Sequence, residues 1–326
     1  MKKIVYTCPF VPAEWIAVHG LRPSRILPGP ADASAFSGAS AGVCPYLAAF
    51  LHALSREDET DAAILTTACD QMRRGFELAR RESGRPLFLM NVPKTWQTAT
   101  AQRMYVSEVE RLGRFLVRLG GKRPSADELA GVMRKYDARR SHLRQIRSRV
   151  VPRRFSEAIA QFHREGTFDP GLSAGAHAPH GIAVALIGGP LMAHHFPIFD
   201  LIERAGGCVV LDATESGERT MPAPLEGRAL DEDPFMSLVN AYFGRIPDAF
   251  QRPDDRLYEW LKSKIAERGV QGIILRYYTW CDHWHAKVQP MKEWSETPVL
   301  GISVDAEDPL EGHTASRIES FLEMLK

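Results

Sequence analysis

Apolar positions in this chain follow two periods that alternate along its length. Residues 2–7 form a short β-rich run, residues 62–67 (Ala-Ala-Ile-Leu-Thr-Thr) a compact apolar run, and residues 86–93 another. Runs of this kind bounded by turn residues read as buried strands. Between them the spacing changes to the helical one, over 46–54 and 71–82. Residues 97–165 are helical almost throughout. Val106, Val109, Leu112, Leu116 and Leu119 keep one apolar face until Gly120 and Gly121 stop it, and Ser125 with Glu128 three residues on forms a capping box for the next helix. The second half repeats the first in outline. Strands are expected over 181–190, 208–212, 272–279 and 298–304. Helices are expected over 194–205, closed by Gly206-Gly207, and over 254–268 and 314–326. Two stretches rich in small and turn-forming residues, 29–42 and 166–180, read as a loop and a hinge.

Strand and helix in alternation predict parallel sheets. The expected architecture is α/β: two doubly wound (Rossmann/flavodoxin-like) domains joined by a helical segment. The N-terminal α/β domain with its helical extension takes residues 1–170, and the C-terminal α/β domain takes 171–326. In such sheets the chemistry lies at the carboxyl ends of the strands.

Composition narrows the classes. The chain has 326 residues, 44% of them apolar and 25% charged, which suits a globular protein and excludes disordered and fibrous ones. Its 41 basic against 40 acidic residues give a net charge of +1, so no bulk field draws it to nucleic acid. No apolar stretch reaches membrane-spanning length, and the start turns polar too soon for a signal peptide. A cytoplasmic protein is the expectation. Five scattered cysteines, an odd number, make no disulfide framework.

Three of those cysteines occupy one kind of position. Cys69 follows the 62–67 strand, Cys281 follows the 272–279 strand, and Cys44 stands where a loop meets a helix. Thiols converging on one crevice suit a soft metal site, zinc or an iron–sulfur cluster, although free cysteine also serves as a small buried hydrophobe. Cys208, opening a strand after Gly-Gly, reads as core. Cys8 follows the first strand and reads as packing near the crevice. Cys281 lies in a run of Tyr, Trp and His. There His283 and His285 are candidates for metal ligation or acid–base work, against an aromatic interface as the plainer reading. His194-His195 reads as a cap or surface pair. The basic run Arg134, Lys135, Arg139, Arg140, Arg144, Arg147 and Arg149 reads as a solvated helix face or an anion surface.

The order of these segments resembles a known family. Cys8-Pro-Phe-Val-Pro12-Ala-Glu14, followed by Gly20-Leu-Arg-Pro23, is similar to a "VPEE…AAG..P" opening. Ala68-Cys69-Asp70 resembles its "CD" segment, and residues 203–212 its "E..GG.VV.D" strand. Trp280-Cys281-Asp282 resembles its third cysteine segment, and residues 314–324 its "TR.EAF.EM" tail. The family is that of the 2-hydroxyacyl-CoA dehydratase and ATP-dependent benzoyl-CoA reductase iron–sulfur subunits. The chain departs from it where cysteine is common: Glu215 follows Asp212-Ala-Thr, and Asp248 follows Arg245-Ile-Pro.

The resemblance implies a [4Fe–4S] cluster held by Cys44, Cys69 and Cys281, between two α/β domains. It implies a lyase that eliminates water from an acyl-CoA thioester by a ketyl radical route after one-electron activation. The alternatives are a benzoyl-CoA reductase-type subunit or a non-catalytic electron-relay partner on the same fold. The implied partners are the acyl-CoA substrate, a related or identical second subunit, and an ATP-dependent iron–sulfur activator protein. Glu14, His19 and His283 are the candidate bases for the β-proton. The Arg-rich helix at 134–149, or Arg73 and Arg74, are the candidates to hold the phosphates of CoA.

Overall fold

The computed structural model describes residues 1–30, 42–56, 60–173, 180–305, 310 and 312–326. Most of the expected loop at 29–42 and part of the expected hinge at 166–180 lie outside the described residues. In the first half the elements run β1 (Lys3–Tyr6), α1 (Ala13–Val18), β2 (Arg22–Arg25), α2 (Pro45–Arg56), β3 (Ala62–Thr66), α3 (Asp70–Glu82), β4 (Leu87–Met90), α4 (Ala99–Arg118), α5 (Ala126–Ile146) and α6 (Pro152–Glu165). They continue with β5 (Ile182–Gly188), α7 (Ile198–Arg204), β6 (Gly207–Ala213), α8 (Gly227–Glu232), α9 (Pro234–Val239), α10 (Asp255–Glu267), β7 (Gly272–Tyr278), α11 (Asp282–His285), α12 (Val288–Trp294), β8 (Val299–Val304) and α13 (His313–Met324).

The strands form two four-stranded parallel sheets with the same internal order, β2-β1-β3-β4 and β6-β5-β7-β8. The fold is α/β, with two doubly wound sheets as the alternation predicts. Each sheet therefore reverses its winding once, between β1 and β3 and again between β5 and β7, and a crevice opens beyond the carboxyl ends of those strands. Every residue of β3 is buried, as a central strand covered on both faces requires. The Ser125 capping box closes reciprocally with Glu128 at the start of α5.

The halves interlock. One hydrophobic core joins Val5, Leu47 and Phe50 to Val184, Leu186 and Ile274. A second carries Leu238, Tyr242, Phe243 and Phe250 back against Ile4, Tyr6 and Ile64 of the first sheet. Helix α6 packs against both β2 and β6.

Three expectations change. Strand β2, Arg-Pro-Ser-Arg, carries no apolar alternation; it sits at the sheet edge, where Pro23 costs no ladder bond. The helix expected over 194–205 begins only at Ile198, because Pro197 cannot sit inside it; residues 193–195 make a single 3₁₀ turn. His195 is neither a cap nor on the surface. It is fully buried, and its Nδ1 lies 2.8 Å from Arg276 Nη2 and 3.1 Å from the Tyr278 hydroxyl.

Candidate functional site

The two winding reversals face one cavity of about 90 Å³, room for several waters. Its walls come from the carboxyl ends of five strands. Thr7, Cys8 and Phe10 follow β1; Thr66, Ala68 and Cys69 end and follow β3; Pro190 follows β5; Glu215 follows β6; Tyr278, Cys281, His283 and Trp284 end and follow β7. Cys44, Tyr46 and Leu47 from the start of α2 close it, with Asp248 and Phe250 from the segment before α10. Cys44, Cys69 and Cys281 thus line one cavity, together with a fourth thiol, Cys8. Cys208 is buried in β6 and lines no part of it.

The three nominated cysteines share one local setting. Each immediately precedes a helix, and its carbonyl accepts the N–H four residues on: Ala48 for Cys44, Arg73 for Cys69, His285 for Cys281. The nearby N–H groups, of Leu47 and Tyr46 at Cys44, of Met72 and Gln71 at Cys69 and of Trp284 at Cys281, favour each thiolate electrostatically, while neither Cys69 nor Cys281 closes a capping hydrogen bond. Burial raises all three thiols, Cys44 to about 11, and the N–H groups and helix dipoles work in the opposite direction. Left to themselves these thiols stay protonated near neutral pH. A thiolate at Cys44 or Cys69 raises Cys281 further, beyond the effect of burial. Among the described residues no group of three or more His, Cys, Asp or Glu side chains is gathered tightly enough to hold a single metal ion. A cubane cluster places each thiolate on a different iron and asks for the wider spacing of one shared cavity.

The turn that carries Cys281 is strained. Trp280 has φ +67°, where a bulky residue costs on the order of 1–3 kcal/mol, and its ring stands 60% exposed. Two contacts hold the turn. His283 Nε2 lies 3.1 Å from the carbonyl oxygen of Ala68, linking the Cys281 turn to the Cys69 turn, and its ring meets Phe250 edge-on at 5.9 Å. His285 points elsewhere and stacks on Tyr277.

Two acidic residues and two tyrosines complete the walls, and none of the four was nominated from the sequence. Burial and the neighbouring charge of Asp248 raise the Glu215 carboxyl to about 7, against the opposing charges of Arg25 and Arg219. Arg25 Nη2 stands 3.6 Å from Glu215 Oε1 and donates to the Glu215 carbonyl at 2.8 Å. Asp248 is fully engaged: Arg219 Nη1 donates to Oδ2 at 2.6 Å and Phe250 N–H to Oδ1 at 2.8 Å. Tyr278 accepts from Met192 N–H, whereas the buried Tyr46 hydroxyl has no hydrogen-bond partner among the described residues. An orphaned buried hydroxyl costs about 1–3 kcal/mol, and a ligand oxygen in the cavity removes that cost.

The structure separates the candidate bases. His283 lines the cavity; Glu14 and His19 do not. Glu14 is 1% exposed, with Arg140 Nη1 donating to Oε1 and the Tyr242 hydroxyl to Oε2, both at 2.5 Å. It serves a buried ion pair that ties α1 to α5. His19 is buried beside Trp15, 2.7 Å from the Trp15 carbonyl oxygen through Nδ1; burial lowers its pKa against that bond. The basic run is likewise no simple solvated face, since Arg140 is buried and Arg139 donates to the Gly166 carbonyl. Arg73 and Arg74 are exposed on α3, Arg73 beside Asp70 at 3.6 Å.

Among the described residues no helix is long and apolar enough to cross a membrane. A comparison with curated proteins gives no match. The family model described as 2-hydroxyglutaryl-CoA dehydratase, D-component, matches residues 8–325, from the cavity cysteine after β1 to the end of the last helix. The match takes in every strand but β1 and every cysteine of the cavity, and the chain belongs to the 2-hydroxyglutaryl-CoA dehydratase D-component family.

Proposed function

We propose that this chain is the iron–sulfur subunit of an enzyme that removes water from a 2-hydroxyacyl-CoA, with Cys44, Cys69 and Cys281 holding a [4Fe–4S] cluster. The observation that carries this reading is that the three cysteines, 25 and 212 residues apart in sequence, line one cavity where the winding of both sheets reverses. When bound, the cluster would supply one electron to a thioester and an iron free to accept an oxygen ligand.

The chain's own residues provide the rest. The thiols must lose their protons to ligate, and the positive helix start beside each sulfur favours the thiolates formed. The Tyr46 hydroxyl donates to the thioester carbonyl oxygen, filling its own vacant bond. Glu215 takes the β-proton onto a carboxylate oxygen: it faces the cavity, and a value of about 7 leaves it part ionised at neutral pH. His283 is a positioning residue that holds the Cys69 and Cys281 turns together. Phe10, Leu47, Phe250 and Trp284 form an apolar wall that limits water. A related or identical second subunit and an ATP-dependent iron–sulfur activator complete the enzyme. The thiols call for a reducing compartment, which makes the cytoplasm the proposed location.

Cys8 favours a second reading. A fourth cavity thiol, its thiolate favoured by the neighbouring Thr66, could occupy the remaining coordination position and make the subunit an electron relay. The test is to supply anaerobically purified protein, its partner subunit, activator and ATP with a 2-hydroxyacyl-CoA in D₂O. The expected outcome is 2-enoyl-CoA, with formation lost in Glu215→Gln and kept in Cys8→Ser. No product from the wild type despite an intact cluster would overturn the dehydratase role.

A further inference from the structure

Behind the wall that carries Asp248 lies a second cleft, of about 540 Å³, which the cysteine cavity does not use. It runs between the end of α5, the turn at Glu218–Thr220 and helix α10. Six cationic side chains line it, Arg144, Arg147, Arg219, Arg245, Lys264 and Arg268, against two carboxylates, Glu218 and Glu267. The half-buried Trp260 adds an aromatic wall.

The charges inside are not balanced. Glu218 serves two arginines at once: Arg268 donates to both its oxygens at 2.6 and 2.7 Å and Arg147 Nε to one at 2.9 Å. Glu267 holds Lys264 at 2.5 Å, Arg245 turns to Glu226 at the rim, and Arg219 turns inward to Asp248. Arg144 faces no carboxylate within ion-pair distance among the described residues. It donates to the Pro222 carbonyl, and its buried Nη1 has no partner there. Burial and the charge of Arg140 lower the Arg144 guanidinium. Burial and the charge of Arg268 lower that of Arg147, against the pull of Glu218. Crowded guanidinium groups with a vacant donor and too few anions form a receptor for phosphate, which arginine binds through paired N–H groups. The flat indole offers a surface on which a nucleobase stacks. The volume lies within the range of small-molecule sites.

We propose that this cleft binds the phosphorylated nucleotide end of an adenine nucleotide carrier, with phosphates against Arg144, Arg147, Lys264 and Arg268 and the base on Trp260. That the carrier is the CoA of the substrate thioester rests on the function proposed above; the anion site itself does not. The Arg219 side chain forms the wall between the two cavities. It lines this cleft, holds Asp248 in the other, and lies over the Trp284 ring at 4.9 Å. A thioester anchored here has its nucleotide behind the wall whose front face carries Glu215 and Asp248.

The test is calorimetric titration of the full-length, iron-free protein with CoA, ADP and inorganic pyrophosphate, at low and at physiological salt. Saturable CoA binding is expected, weakening with salt. Arg144→Gln and Lys264→Ala should each weaken it about tenfold, the loss of one charge-assisted bond. Lys264 is only partly buried on α10, so its variant keeps the measurement decisive if Arg144→Gln unfolds. No saturable binding by the wild type, or unchanged affinity in folded variants, would overturn the site. Equal affinity for ADP and CoA would overturn the link to a thioester while leaving the nucleotide site. Failure of the iron-loaded enzyme to dehydrate any thioester touches only the earlier proposal.

Discussion

Replacing Glu215 with Gln tests the proton-handling group without requiring the cluster. The native cavity holds this carboxyl at about 7 against an ordinary 4.5. That difference corresponds to about 3 kcal/mol favouring the neutral acid in the folded state. Because the folded value is raised, the contribution of Glu215 to stability is fully present below about pH 4.5. It is lost as pH rises through about 7. Gln has the shape of the neutral acid and cannot ionise. The stability of Glu215→Gln relative to wild type should therefore be flat in acid, climb between about pH 4.5 and 7, and level off about 3 kcal/mol higher above that. The Cys44 and Cys8 thiols, raised to about 11 and 12 by burial, do not titrate in this window. Other groups cancel in the difference between the two proteins. Urea unfolding of iron-free wild type and variant at several pH values measures it, the slope of ΔG on denaturant confirming that both unfold the same surface. Removing the neighbouring charge by Asp248→Asn should move the climb towards acid. Stability curves for wild type and Glu215→Gln that stay parallel from about pH 5 to 8 would refute the reasoning.

Three further outcomes follow from the same contacts. Glu14→Ala strands the 2% exposed Arg140 and should cost about 3–5 kcal/mol, read by denaturant unfolding; a fully stable but inactive variant would return Glu14 to the chemistry. Tyr46→Phe removes a hydroxyl that has no partner, so unliganded stability should hold or rise by about 1 kcal/mol while turnover of the thioester falls; a destabilised variant would mean the hydroxyl is already bonded. Loading iron and sulfide onto the unliganded protein should release protons to an unbuffered solution in the wild type and release fewer in Cys44→Ser, because the raised thiols must ionise to ligate. Equal release from both would show that Cys44 is not a ligand.

The site's framework was legible because it depends on strand ends. Cys69 and Cys281 stand one turn beyond apolar runs whose burial is plain in the sequence, and parallel sheets bring such ends to a common crevice. Glu215 obeys the same logic, one turn past β6, and it and Asp248 stand at the points where the resemblance leads one to expect cysteine. Carboxylates after strands are so often solvated that position alone does not distinguish them. Tyr46 was hidden by its helix, whose apolar periodicity explains an aromatic ring without any need for its hydroxyl. Glu14 is the opposite case. Its segment matched the family opening, but the residue that claims it, Arg140, lies 126 positions away in a run that reads as a solvated face. Long-range charge pairing leaves no trace in local periodicity. Strand β2 escaped notice because an edge strand needs neither alternation nor β-branched residues.

The central claim is that three thiols from distant stretches grip one inorganic cluster, and metal analysis tests it most directly. Protein purified without air should carry about four irons and about four acid-labile sulfides per chain. Serine at Cys44, Cys69 or Cys281 should lower that content, and serine at the remote Cys208 should leave it unchanged. A colourless wild type that takes up no iron on anaerobic reconstitution, or iron that survives at full content in all three serine variants, would contradict it.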